Sequence, residues 1–286
     1  MSPSVSTSAR LSAAAVSASR GRSLSGRNAL VTGSTSGIGL AIAEELAVLG
    51  ASLVVNGSGS TSAKVAEGQR LAAGIAERSG SPVAFVEADL KDAAAASTLV
   101  AETMRRHGPI DILVNNAGIQ HVAPVEEFPD EKWSEILALN LSAAFHATKA
   151  VIPMMKSRGW GRIVNVASAH SLVASPMKSA YVSAKHGLLG LTRTVALEVA
   201  QHGITVNALC PGYVLTPLVE KQIPDTARAR GMTEDEVVRE VLLKAQPTKR
   251  FVTSEEVAAA AAFLCSDGAR SITGIALPID GGWTAQ

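Results

Sequence analysis

The sequence predicts one α/β domain built on a doubly wound parallel sheet of about seven strands, and three observations carry that expectation. Short apolar runs of strand length alternate with stretches of helical period from Arg27 to the end of the chain. The first run ends in a glycine-rich turn that leads straight into a helical stretch, the order of a phosphate-binding strand, loop and helix. Small and polar residues follow the later runs, at the carboxyl edge where open α/β sheets take their ligands. No segment repeats, and the candidate site residues come from both halves of the chain, so residues 24–286 read as a single domain.

Each element has a local reason. Residues 28–32 form a first apolar strand, Gly33-Ser-Thr-Ser-Gly37-Ile-Gly39 the turn and residues 40–49 the helix. Glycines there let backbone N–H groups approach a pyrophosphate at the helix N-terminus. Residues 52–56 are the second strand, 61–79 a helix and 82–86 the third strand. Asp89 and Leu90 lie just beyond it, where Asp89 suits an adenine amino group and equally an exposed loop. A helix over 93–107 leads to the strand 110–114 and to Asn115-Asn116-Ala117-Gly118, whose small side chains let a flat ring pass close to the backbone. Residues 130–157 carry Trp133, Ile136, Leu137, Leu141, Ala144 and Phe145 in a helical stripe that encloses Asn140. A buried amide there needs partners, either as a cap on a helix bend or as a holder of water. The strand 161–167 delivers Ser168, a helix over 178–201 carries Tyr181 and Lys185, and the strand 204–209 ends at Cys210-Pro211-Gly212. Polar residues 213–250, with Pro217, Pro224 and Pro247, are placed to form a helical lid. A helix over 254–265, a strand over 275–279 and the turn Asp280-Gly281-Gly282-Trp283 close the chain.

Composition narrows the function. With 47% apolar and 18% charged residues, the 286-residue chain has ample material for a large core. A formal net charge of +1 without a basic run argues against nucleic acid and for a small-molecule ligand. Cys210 and Cys265 have neither metal-ligand nor Cys-x-x-Cys spacing and read as buried free thiols, consistent with a reducing, cytoplasmic setting. No histidine pair has the spacing of a local metal site. The longest apolar run, near 257–265, is too short to span a bilayer, so no membrane partner is expected. Residues 1–23 are rich in Ser and Ala, carry Arg10, Arg20 and Arg22 and precede the first carboxylate, Glu44. That is the composition of a disordered or processed tail, shared by organellar transit peptides.

The stretch from Ser168 to Lys185 holds the candidate chemistry. Tyr181 and Lys185 are four apart, hence on one helix face, so ammonium and phenol reach one small volume. A fixed positive charge lowers a phenol pKa from its ordinary value near ~10 and would make Tyr181 a usable proton acceptor. At the end of the second strand, where an acid usually grips the adenosine ribose, the chain has Asn56-Gly57-Ser58. No basic residue follows before Lys64, which favours NAD over NADP.

Thr32-Gly33-x-x-x-Gly37-Ile-Gly39, Asn115-Asn116-Ala117-Gly118, Asn140, Ser168, Tyr181-x-x-x-Lys185 and Pro211-Gly212, in that order, resemble the short-chain dehydrogenase/reductase family over residues 24–286. The resemblance implies a Rossmann-type sheet that binds NAD, with Ser168 orienting the substrate oxygen and Tyr181 as general acid/base. It also implies that Lys185 binds the nicotinamide ribose and lowers the tyrosine pKa, and that Asn140 serves a proton relay through water. The implied cofactor contacts are Gly33, Ser36, Gly37, Ile38, Gly39, Asn56, Asp89, Leu90, Asn116, Ala117, Gly118, Tyr181, Lys185, Pro211, Gly212, Val214 and Thr216.

Within the family, Gly118-Ile-Gln120-His121, Ser168-Ala-His170 with Lys178, and residues 215–222 look like bacterial D-3-hydroxybutyrate dehydrogenases, enzymes of ketone-body chemistry. That likeness implies a substrate carboxylate held by Gln120, His170, Lys178 and Gln222 beside Ser168 and Tyr181. Tyr213 also faces the substrate in this reading and stands where the pattern usually has tryptophan. The implied activity is NAD-linked interconversion of (R)-3-hydroxybutyrate and acetoacetate by a homotetramer joined through its long helices. Two alternatives stay open: an NADP-linked 3-oxoacyl thioester reductase and a dinucleotide-binding sensor without catalysis.

Overall fold

The structure, a computed structural model, describes residues 21–59 and 61–286, so all but the last three residues of the expected tail lie outside the described residues. Seven strands form one parallel sheet: β1 Asn28–Val31, β2 Ser52–Gly57, β3 Val83–Glu87, β4 Ile112–Asn115, β5 Gly161–Val166, β6 Ile204–Pro211 and β7 Ala276–Ile279. Their order is β3-β2-β1-β4-β5-β6-β7, so the winding reverses between β1 and β4 and opens a crevice at their carboxyl ends.

The strands are apolar on both faces because helices cover both. Side chains alternate along a strand, so Val31 and Val55 join one core while their neighbours Leu30 and Val54 join the other. On the first side, Ile42 and Leu46 of α1 (Gly37–Val48) meet Ala258 and Ala261 of α8 (Ser254–Cys265), with Ile75 of α2 (Ser62–Ser79) at the flank. The second side is built by Leu99 of α3 (Ala93–His107), Val151 and Met155 of α5 (Ala143–Arg158) and Val195 and Val199 of α6 (Ser179–Val199).

The helix expected over 130–157 is α4 (Asp130–Leu137) joined to α5 through a single widened turn, Ala138–Ser142. The joined helix, Asp130–Arg158, is 29 residues long with a mean hydropathy of 1.3 in its most apolar window, which meets the length and composition of a membrane span. Its place is nonetheless that of a core helix, packed on α3 and α6 over the sheet. The segment 213–250 is largely helical. Thr216 caps α7 (Pro217–Arg230) by accepting from the Val219 N–H, and Gly231 ends it in the left-handed region. A short helix Glu234–Glu236 and a widened turn Val237–Leu242 follow, and Val214 pairs with Val252 to close the segment at its base.

Candidate active site

The crevice holds a cleft of about 660 Å³ floored by the glycine turn. Gly33 and Gly37 adopt φ of +59° and +56°, the left-handed backbone that only glycine takes without strain. A Cβ on Gly39 would lie 2.3 Å from Asn116 Nδ2 and 2.4 Å from the Gly33 carbonyl, so close approach excludes any larger residue. Asn116 fastens the turn to β4: its Nδ2 donates to the carbonyls of Thr32 (3.1 Å) and Gly33 (2.9 Å). Thr32 Oγ1 accepts in return from the N–H groups of Asn116 and Ala117.

Of the cofactor residues expected from sequence, Gly33, Ser36, Gly37, Ile38, Gly39, Asn56, Asp89, Leu90, Asn116, Ala117, Gly118, Tyr181, Lys185 and Thr216 line this cleft. Pro211, Gly212 and Val214 line the adjoining smaller cavity instead. Asn56 borders the cleft, but its amide is spent on the backbone. Its Oδ1 accepts from Gly33 N, and its Nδ2 donates to the carbonyls of Val86 and Ala88. Near Thr35, Ser36, Gly57 and Ser58 the lining carries no basic side chain; Lys91 and Lys132 reach the rim, paired with Asp89 (3.6 Å) and Glu135 (2.8 Å).

The smaller cavity, about 80 Å³, opens beside Tyr181. All seven residues expected around the substrate line it: Gln120, Ser168, His170, Lys178, Tyr181, Tyr213 and Gln222. Three of them have buried side-chain nitrogens without a partner, the Nε2 atoms of Gln120, His170 and Gln222. Lys178 is buried with them and its Nζ donates to the Tyr213 hydroxyl at 3.1 Å. Burial, helped by the positive charge of Lys178, depresses the His170 pKa to about 3, so its ring is neutral. Burial, with Arg230 nearby, depresses Lys178 to about 8.

Sequence reasoning missed Trp283. It forms a wall of this cavity, stacking on Tyr213 with centroids 5.3 Å apart and planes 11° off parallel, and meeting the His170 ring edge-on at 5.0 Å. Asp280 sets it there by accepting from the N–H groups of Gly282 and Thr284 and from the Thr284 hydroxyl. The signal available in the sequence was an aromatic residue after a Gly-Gly turn at the carboxyl end of the last strand.

Ser168 follows β5, its hydroxyl 3.3 Å from His170 Nδ1 and accepting from the His170 N–H at 3.1 Å. Lys185 departs from expectation. Its Nζ donates to the Val166 carbonyl at 2.7 Å and lies 5.6 Å from the centre of the Tyr181 ring. Burial raises the phenol pKa, against the smaller opposing influence of the Ser168 hydroxyl; the expected lowering of Tyr181 by Lys185 is therefore corrected for this structure. The ammonium reaches backbone before phenol, and burial holds Lys185 itself down at about 8. Asn140 lies behind the cleft. Its Oδ1 accepts from Ile119 N and its Nδ2 donates to Ile119 O, both at 2.9 Å. A void of about 10 Å³, the size of one water, separates it from Lys185.

A family model described as Enoyl-(Acyl carrier protein) reductase matches residues 33–284. D-beta-hydroxybutyrate dehydrogenase of Rhizobium meliloti is 55% identical over 260 residues, 91% of this chain and 99% of that protein. The protein of the same name from Cupriavidus necator is 51% identical over 263 residues, 92% of this chain and 100% of its own length. A crystal structure described as a putative NAD(P) dependent gluconate 5-dehydrogenase from Beutenbergia cavernae, with bound NADP at low occupancy, superposes with a TM-score of 0.81 at 37% identity. It covers 93% of this chain and 99% of that one.

Proposed function

The chain belongs to the short-chain dehydrogenase/reductase family, and from that premise we propose that it interconverts (R)-3-hydroxybutyrate and acetoacetate with NAD as cofactor. One observation carries the substrate: three partnerless Nε2 groups and one ammonium converge on a cavity of about 80 Å³ beside Tyr181. Buried donors without acceptors are costly unless a ligand supplies the acceptors. A carboxylate offers about four lone-pair sites and the charge that Lys178 needs. Ligand pockets ordinarily run to ~300–1,000 Å³, so this one suits a very short acid.

The glycine cradle and the cleft above it fit a dinucleotide, with Gly33, Gly37 and Gly39 under the pyrophosphate. NAD is favoured over NADP because no basic side chain stands at Thr35, Ser36, Gly57 or Ser58. When bound there, the nicotinamide supplies a hydride acceptor. This chain's own residues do the rest. With the carboxylate held by Gln120, His170, Lys178 and Gln222, the C3 hydroxyl lies between Ser168 and Tyr181. Ser168 orients it; Tyr181 Oη takes its proton as the C–H bond breaks once the phenol has passed its own proton on, and in the reverse direction the protonated phenol donates to the oxygen of the forming alcohol. With its proton on Nε2 and Nδ1 facing the Ser168 hydroxyl at 3.3 Å, the neutral His170 ring is a donor toward the carboxylate. Lys185 and Asn140 flank the one-water void, a route by which the proton leaves.

The same reading makes the protein a cytoplasmic homotetramer; exposed Trp133 and Phe145 on the helix Asp130–Arg158 and Leu197 on α6 support apposed helices, which sedimentation would test. The activity test is direct. Purified protein with (R)-3-hydroxybutyrate and NAD should generate reduced-cofactor absorbance, with little from the (S) enantiomer or from NADP. An inert protein, or one that reduces only 3-oxoacyl thioesters with NADPH, would refute the proposal.

A further inference from the structure

Lys178 and Tyr213 share a buried hydrogen bond. At a position where the family pattern puts tryptophan, Tyr213 places an oxygen 3.1 Å from Lys178 Nζ inside the small cavity. An indole offers a donor only and cannot accept from an ammonium. Here the phenol oxygen accepts from Lys178, so its own O–H remains free to donate, and no acceptor for it stands among the described residues. Lysine and tyrosine thus present two adjacent donors to the cavity that already holds the partnerless Nε2 groups.

Tyr213 is also held from three directions. Its N–H donates to the side-chain oxygen of the fully buried Gln246, its carbonyl accepts from Val252 N at 2.9 Å, and its ring stacks on Trp283. A side chain fixed in this way loses little freedom when a ligand arrives. Burial pushes its phenol pKa far above the ordinary value, so the group stays a protonated donor at every pH the protein meets.

We propose that the Tyr213 hydroxyl is a carboxylate ligand that pairs with Lys178, the ammonium taking one carboxylate oxygen and the phenol donating to the other, and so selects acids over neutral analogues. This rests on the hydroxy-acid reading above, but it has a separate measurement. Binding of acetoacetate and of acetoacetamide to the full-length protein with cofactor is followed by titration calorimetry, for wild type and Tyr213→Phe. Tyr213→Phe keeps the stack on Trp283 and removes only the oxygen. The expected result is a Kd for acetoacetate about tenfold weaker in Tyr213→Phe, about 1.4 kcal/mol, with the Kd for the amide changed less than twofold.

In steady state the KM for (R)-3-hydroxybutyrate should rise by the same factor while kcat stays within twofold. Unchanged acetoacetate affinity in Tyr213→Phe overturns the assignment, as does equal weakening for acid and amide. A wild type that binds the acid with this Tyr213 dependence but does not turn over (R)-3-hydroxybutyrate would sink the proposed reaction and leave the ligand assignment standing. Failure of the wild type to bind either compound would overturn both.

Discussion

Replacing His170 should remove a measurable part of the protein's acid sensitivity. The ring is 3% exposed, packed edge-on to Tyr181, Tyr213 and Trp283, and it sits near the Lys178 ammonium; burial first, and then the Lys178 charge, oppose a second positive charge. Its folded pKa is about 3 against an ordinary 6.5. Below 6.5 the unfolded chain therefore binds a proton that the folded chain refuses, and stability falls as the pH falls. The slope approaches about 1.4 kcal/mol per pH unit and continues until the pH nears the folded pKa. Between pH 7 and pH 5 the loss from this one ring is about 2 kcal/mol. His170→Gln keeps a neutral donor and abolishes the titration. Urea midpoints at pH 7, 6 and 5, at one protein concentration, should fall more steeply for wild type than for the variant, the gap reaching about 2 kcal/mol at pH 5. Parallel pH dependences would mean that the ring titrates normally and is neither buried nor crowded as described.

Carboxylate binding should weaken above pH 8, because the Lys178 ammonium is lost as the pH rises through about 8, with Kd for acetoacetate approaching a tenfold rise per pH unit. A Lys178→Met protein, measured by the same calorimetry, should lose that dependence. Gly39→Ala should abolish cofactor binding by fluorescence titration, since the added carbon meets Asn116 Nδ2 and the Gly33 carbonyl with no room to move. Asn140→Ala deletes both hydrogen bonds to Ile119 and leaves a backbone N–H and C=O without partners, a cost of about 2 kcal/mol. A drop in Tm of about 5 °C, with lower kcat, is the expected outcome.

Most of the fold was legible because each strand is a short apolar run whose ends are marked by Gly, Pro or polar residues, and each helix has its own apolar stripe. The substrate cavity was legible only through the joint pattern of Gln120, His170, Lys178 and Gln222; all of them line it, from separate elements. What escaped depends on distances that no local pattern encodes. Asn56 stands near the end of β2, but the glycine turn after β1 and the strand β3 claim its amide. Helical spacing places Lys185 on the face of Tyr181, yet a long flexible side chain goes to the best acceptor within reach, the Val166 carbonyl. Trp283 meets His170 only because β7 docks beside β6 and Asp280 folds the closing turn back over the cavity.

The residue before Lys178 shows how one stretch serves both chemistry and specificity. Met177 adopts φ of +65°, a left-handed backbone that costs a side-chain-bearing residue ~1–2 kcal/mol. Its carbonyl accepts from Ala123 N at 3.0 Å, so the reversal is braced against the loop that carries Gln120. The reversal lets α6 begin immediately, at Ser179, with Lys178 at its N-cap and buried in the cavity. An ammonium at a helix N-terminus is electrostatically unfavourable, and burial adds to the cost. Backbone strain, an adverse dipole and desolvation all oppose this placement. A buried ammonium that meets the helix start and the Tyr213 hydroxyl alone is poorly compensated, whereas one that meets a carboxylate recovers charge and hydrogen bonds together. The position of Lys178 is thus explained by ligand binding and opposed by folding, which is the physical mark of a residue kept for function.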